Sequence, residues 1–387
     1  MAEAFHTLPL KHRVRRGLLQ LAGRLPILGQ RKGDVNRILL IRPDHLGDVL
    51  LTTPAIGALR AACPDAEIHA LVGPWSADVL ANCDDVDAVL TLPFPGFSRT
   101  PQPNWRSPYS LAIRSARHLR RIGYSSAIIF RPDHWWGAML ARFAGIPQRI
   151  GYNLPDVAPF LTDAIPFERQ HAVVQSARLV ERLTGTPLPA DLPLHFPVAG
   201  DDRGWIDGYL DQWGLEPGQR LFVIHPGSGT WVKRWDGLKW AQVADTLADQ
   251  LDAAVVFTGG DHEMALVHNI TDAMRHRACI MVGETHVGTL AALFERALVV
   301  LGPDSGPLHL AAAVGTPTVS LFGPADPVEF RPWGAPERHF VLTSNIGCRP
   351  CRVLDWGSDD PKYHPCVREI FIGQVLEAAR RAASPSD

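Results

Sequence analysis

A chain of 387 residues with 46% hydrophobic content can bury two cores of ordinary size, so two domains are expected rather than one. The formal net charge of -2 excludes the basic excess of a protein built around nucleic acid. Six cysteines are too sparse for a disulfide scaffold, no apolar run reaches 18 residues, and the N-terminus lacks a secretory cleavage pattern, so a reduced, cytoplasmic protein is expected.

The first 33 residues carry Lys11, Arg13, Arg15, Arg16, Arg24, Arg31 and Lys32 against Glu3, with Leu18, Leu19, Leu21, Leu25, Ile27 and Leu28 as apolar surface. Two readings stay open for this basic amphipathic segment, taken as residues 1–35. It either lies on an anionic membrane surface or packs as a solvated helix on the body.

From residue 38, short apolar runs alternate with helical stretches: Ile38 to Ile41, Ile68 to Val72, Val86 to Leu92 and Ala127 to Phe130. After a proline-rich stretch the pattern restarts with Leu221 to Ile224, Ala254 to Thr258, Cys279 to Val282, Leu298 to Leu301 and Thr318 to Phe322. This alternation predicts two α/β halves with parallel sheets, an N-terminal Rossmann-like domain over 36–190 and a second over 205–366. Ile370, Phe371, Val375, Leu376 and Ala379 at helical spacing predict a closing helix within 367–387. Two such halves facing one another make a cleft between the carboxyl ends of their strands, where ligands of this architecture bind.

Four strand-to-helix turns carry candidate chemistry. The first strand runs into RPDHLGDVLLTTPA (42–55), which puts Gly47 and Asp48 at a turn. Asp48 either accepts the proton of an attacking hydroxyl or caps the next helix. HPGSGTWVKRW (225–235) supplies Ser228, Gly229 and Thr230 in a small-residue turn whose N–H groups can approach a phosphate, with Lys233 behind them to offset charge on a departing diphosphate. GPDSGPLHLAAAVGTPTVSLFGP (302–324) begins a helix near Gly306, with Asp304 and Ser305 at its start and His309 one turn in. TGGDHE (258–263) brings Glu263 within reach of a nucleotide base or ribose, or is a solvated loop.

Neither GxxxxGK[ST] nor a GxGxxG after the first strand is present, which disfavours P-loop kinases and nicotinamide enzymes. Asp85 and Asp87 read as a turn. Cys348, Cys351 and Cys366 with His364 suggest a zinc site, but the second pair has the wrong spacing.

In this order, the 42–55, 225–235 and 302–324 segments resemble glycosyltransferase family 9, the ADP-heptose:lipopolysaccharide heptosyltransferases; GIPQRIGY (145–152) and the CxxC tail look similar too. The resemblance implies a GT-B fold and inverting, metal-independent transfer from an ADP-sugar to a lipid-linked saccharide of the lipopolysaccharide core. It implies no cofactor and no metal, with Asp48 as general base and Lys233 by the donor phosphates. It also implies a donor site of Gly47, Ser228, Gly229, Asp304, Ser305, Gly306 and His309, with Thr230 and Glu263 as weaker transfers. RPDHWWG (131–137) departs from the family and puts Arg131, Asp133, His134 and Trp135 forward for the acceptor; Trp135 and Trp136 either stack on sugar rings or belong to the core. Transfer from another nucleotide sugar, a similarly folded epimerase, and a non-catalytic sugar-nucleotide binding or accessory protein are the competing readings.

Overall fold

The computed structural model describes residues 10–24, 36–98, 106–189, 191–216, 218–354 and 364–384. Residues 1–9 and 25–35 of the basic segment lie outside the described residues, as do residues 99–105. Two compact units emerge: Met1–His45 with Ala55–Arg169 and Val174–Ala190, and Leu46–Pro54 with Gln170–Val173 and Asp191–Asp387.

The first unit holds a parallel sheet of β1 (Arg37–Arg42), β2 (Glu67–Val72), β3 (Ala88–Thr91), β4 (Ser126–Ile129), β5 (Gln148–Tyr152) and β6 (Asp163–Ile165), in the order β3-β2-β1-β4-β5-β6. Leu39 and Ile41 on one face of β1 and Ile38 and Leu40 on the other are all buried, which is why the strand reads as a continuous apolar run. Leu39, Ile41, Phe94, Ala127, Ile129, Trp136, Met139 and Phe160 share one core.

The second unit repeats the plan with β7 (Leu221–Ile224), β8 (Ala254–Gly259), β9 (Cys279–Val282), β10 (Val300–Pro303), β11 (Thr318–Phe322) and β12 (His339–Thr343), ordered β12-β11-β10-β7-β8-β9. Each sheet therefore starts in its middle and reverses once, between β1 and β4 in one unit and between β7 and β10 in the other. The crossovers leave on opposite faces at those points, which opens a crevice beyond the strand ends. Phe222, Trp240, Phe257, Val319 and Leu321 anchor the second core.

Some elements differ from expectation. The run Val86 to Leu92 pairs only over Ala88–Thr91, and the strand expected at Leu298 to Leu301 pairs over Val300–Pro303. β5, β6 and β12 carry no long apolar run: β6 is three residues and β12 is half-buried along most of its length. The closing helix is Ile372–Ala383, whose Val375, Ala378, Ala379 and Ala382 join the second core. Phe371 does not: it precedes the first turn and is 72% exposed.

Among the described residues, no helix is long and apolar enough to cross a membrane. The helix Leu10–Arg24 lies on the first unit through Leu19, which is buried, and through Gly23, which meets Pro159. Arg15 and Arg16 both pair with Asp156, at 2.5 and 3.0 Å.

Candidate active site

In the second unit the chain leaves β7 at His225 and β10 at Pro303, side by side at the reversal point, and both turns carry the small residues that the motifs foretell. Lys233 sits in a single 3-10 turn, Trp231–Lys233, and reaches across to β10's turn: its Nζ lies 2.6 Å from Asp304 Oδ2 and 3.4 Å from the Asp304 carbonyl. The ammonium is thus aimed along the crevice rather than out to solvent. Ser305 is the N-cap of the helix Gly306–Ala313 with Pro307 in its first turn, yet its hydroxyl makes no capping bond. The buried Ser305 Oγ and Thr230 Oγ1 have no hydrogen-bond partner in the protein. The two adjacent turns thus carry two hydroxyls without a protein partner, a helix N-terminus and an ammonium paired with Asp304, groups able to donate to an anion.

His309, one turn into that helix, is buried with Nδ1 unpaired. Burial pushes its pKa down to about 4, against the pull of Asp304 and with the help of Lys233, so the ring is neutral at physiological pH. The short helix Leu46–Leu50 groups with this unit and carries Gly47 and half-buried Asp48. A Cβ on Gly47 would stand 2.6 Å from His309 Cδ2 and 3.1 Å from the Gly306 Cα, so only glycine lets the two turns approach so closely. Asp48 lies in the first turn of that helix.

Glu263 is 4% exposed, far from a solvated loop residue. Its carboxylate accepts from the Gly260 N–H at 3.0 Å and lies 3.9 Å from His225 Nε2, whose Nδ1 is 3.1 Å from Thr258 Oγ1. Burial lowers the His225 pKa, opposed by the Glu263 charge. A methyl on Gly227 would collide with the Glu263 carboxylate, so this acid is held directly beneath the 226–229 turn. Ser228 is buried in the same turn, while Gly229 borders open space.

The first unit presents a second constellation at its own reversal point. β1 ends in Arg42-Pro43-Asp44-His45 and β4 leads into Arg131-Pro132-Asp133-His134, the same four residues twice. Asp44 is 2% exposed, 2.9 Å from Arg42 Nε, and bonded to Arg131 Nη1. Its backbone carbonyl accepts from Trp75 Nε1 at 2.9 Å and Ser76 Oγ at 3.1 Å. Burial opposes ionisation of Asp44, but the Arg42 and Arg131 charges win and hold its pKa below the ordinary carboxylate value. Arg131 also donates from Nε to Asp133 Oδ1 at 2.6 Å. His134 is buried among Phe94, Phe97 and Trp136 with both ring nitrogens unpaired, and burial pushes its pKa down to about 3.

Beside this network lies a cavity of about 420 Å³, lined by Phe97, Tyr109, Arg131, Asp133, His134 and Trp135 among others. All four residues put forward for the acceptor therefore line one cavity. Trp135 is half-buried at its wall; Trp136 is 3% exposed and belongs to the core. Asp44 and Arg42 do not stand out in the sequence, although the repeated RPDH is a signal for them.

The remaining sequence candidates lie outside these two constellations. Asp87 accepts from Arg60 and from the Ile68 N–H, both at 2.6 Å, at the turn entering β3. Cys348 is exposed, Cys351 half-buried and Cys366 buried, and none forms a disulfide. His364 packs edge-on against Trp231 at 5.1 Å. Among the described residues, no three His, Cys, Asp or Glu side chains are arranged to hold a metal ion.

The second unit's turns hold donors that suit a phosphate, and the first unit's cavity is polar and aromatic. The sequence profile of Glycosyltransferase family 9 (heptosyltransferase) matches residues 112–356, more than half of the chain. The chain belongs to this family. Lipopolysaccharide heptosyltransferase 3 of Escherichia coli is 28% identical over 297 residues, covering 74% of this chain and 83% of that protein. The crystal structure of the glycosyl transferase family 9 from Veillonella parvula DSM 2008 superposes with a TM-score of 0.77 at 25% identity, over 92% of this chain and 99% of that one. The E. coli ADP-heptose lps heptosyltransferase II does so with a TM-score of 0.70 at 21% identity, over 90% and 98%. The fold is GT-B, as the motifs implied, and the enzyme is a glycosyltransferase of the lipopolysaccharide heptosyltransferase family.

Proposed function

We propose that this family 9 enzyme transfers a heptose from ADP-heptose to a saccharide of the lipopolysaccharide core with inversion, Asp48 taking the proton of the attacking hydroxyl. The observation that carries the donor half is the convergence of Lys233, the unpaired Ser305 and Thr230 hydroxyls and the N-terminus of Gly306–Ala313 at one reversal point. Diphosphate oxygens are the ligands that such donors satisfy. Gly47, Ser228, Gly229, Asp304, Gly306 and neutral His309 shape this donor site, and Glu263 beneath it receives a hydroxyl of the nucleoside. The E. coli relative named for ADP-heptose supports the choice of donor.

As the glycosidic bond to ADP breaks, negative charge grows on the β-phosphate oxygens. Lys233, placed beforehand, stabilises it without the cost of reorienting water. This is the role that a divalent metal plays in other transferases, and on this reading the reaction needs none. The acceptor occupies the first unit's cavity against Arg131, Asp133, His134 and Trp135.

The lipid-linked acceptor places the enzyme at the inner face of the cytoplasmic membrane. Leu18 and Leu21, each 61% exposed on the helix Leu10–Arg24, provide peripheral contact there. Calorimetric titration with ADP, UDP, GDP and CDP, in chelator and then in Mg²⁺, tests the reading. Selective ADP binding that ignores Mg²⁺ is expected. Preference for another nucleotide removes the heptose, and dependence on Mg²⁺ removes the metal-free mechanism.

A further inference from the structure

The cavity beside the RPDH turns can be read further from its charges. Arg131 meets two carboxylates, Asp44 and Asp133, and Asp44 is shared with Arg42. Two guanidiniums face two carboxylates, so the network carries no excess positive charge. Among the described residues lining the cavity, Arg131 and Asp133 are the charged ones, and His134 is held neutral by burial. The Asp133 side chain is 64% exposed, so the charge presented outward is negative. An anion entering here would meet an arginine whose charge two carboxylates already offset and an exposed carboxylate that repels it, while the Arg131 N–H groups not bonded to Asp44 or Asp133 stay available to a neutral acceptor.

The rest of the wall is apolar and flat. Phe97 lies under the Arg131 guanidinium at 5.0 Å, and Tyr109, Trp135 and Pro108 add ring surface. The C–H face of a sugar ring stacks on such surfaces, while its hydroxyls need donors and acceptors placed together at the edge. The Arg131–Asp133 pair supplies both within one turn, which matches two neighbouring hydroxyls of one ring.

We propose that this cavity binds an uncharged sugar ring of the acceptor, stacked on Trp135 and Tyr109 with a vicinal diol on the Arg131–Asp133 pair, and discriminates against rings bearing a carboxylate or phosphate. The inference rests on the acceptor reading of the first unit and adds the chemical class of the ring.

The test uses the full chain and three probes: the methyl glycosides of a neutral heptose, of a carboxylate-bearing ulosonic acid, and of the heptose phosphorylated on a ring hydroxyl. Binding is measured by saturation-transfer NMR and competition. The neutral heptoside is expected to bind in preference to both anions. Tyr109→Ala, at a half-exposed position that folding tolerates, and Trp135→Ala should each weaken it by about tenfold. Asp133→Asn leaves Arg131 less compensated and should raise affinity for the ulosonic acid several-fold while weakening the heptoside. Tighter binding of an anionic probe by the unaltered chain, lost on Arg131→Gln, would overturn the charge argument and leave the acceptor reading standing. Indifference of all three probes to Tyr109→Ala, Trp135→Ala and Asp133→Asn, with transfer to lipopolysaccharide intact, would overturn both.

Discussion

Lys233 Nζ stands 2.6 Å from Asp304 Oδ2, closing an ion pair between the turns after β7 and β10, two strands adjacent at the reversal of the second sheet. The pair fixes the ammonium at the point where the proposed function puts the donor diphosphate. Replacing Lys233 by Ala should weaken ADP binding by about 10- to 100-fold, the worth of one charge-assisted hydrogen bond, and lower turnover further. Titration calorimetry alongside a turnover assay checks this, and unchanged ADP affinity would remove Lys233 from the donor site.

Asp48 is the proposed general base. Asp48→Ala should leave ADP affinity nearly intact and reduce transfer by about 10²- to 10⁴-fold, as expected for a lost proton acceptor. Asp48→Asn should behave alike, because the amide keeps the shape and loses the basicity. Turnover within a few-fold of the unaltered enzyme would assign the proton to another group.

Gly227 exists to make room for Glu263. Gly227→Ala should lower the melting temperature and weaken ADP binding, since the added methyl meets the Glu263 carboxylate. Adding Glu263→Ala should recover part of the lost stability. A double-mutant cycle by thermal melting measures the coupling, and strict additivity would mean that the two residues do not collide.

The buried histidines predict a direction for acid sensitivity. His309 sits near 4 in the folded protein and near its ordinary 6.5 when unfolded, so between those pH values the unfolded chain binds more protons. Stability from this residue is complete above about 6.5 and is lost as pH falls through the window, by at most about 1.4 kcal/mol per pH unit. His134, near 3, acts in the same direction over a wider window. Melting curves at pH 7.5 and 5 should show a smaller acid-induced drop for His309→Gln than for the unaltered protein; an equal drop would place the sensitivity elsewhere.

Asp44 is 2% exposed between two arginines, and removing one of them leaves its buried charge with a single partner. Arg131→Ala should therefore destabilise the first unit by about 3–5 kcal/mol, and Asp44→Asn in the same chain should restore part of it. Chemical denaturation of the single and double variants decides the point.

Much of the scaffold is legible in the sequence alone. The central strands of a parallel sheet are buried on both faces, so Ile38 to Ile41 and Leu221 to Ile224 spell themselves out as apolar runs, and turns that need glycine or a helix start show them at 47, 227 and 306. Edge strands β6 and β12 escape because they are short or half-buried, and Phe371 resembles a core residue because spacing does not say where the first helical turn begins. What only the fold decided is which turns meet. Arg131 reaches Asp44 across 87 positions, and Lys233 reaches Asp304 across 71, because parallel crossovers place β4 beside β1 and β10 beside β7. Strand order is set by the joint burial of whole sheet faces. A local pattern carries the residue types of the site, but their pairing belongs to the packed sheet.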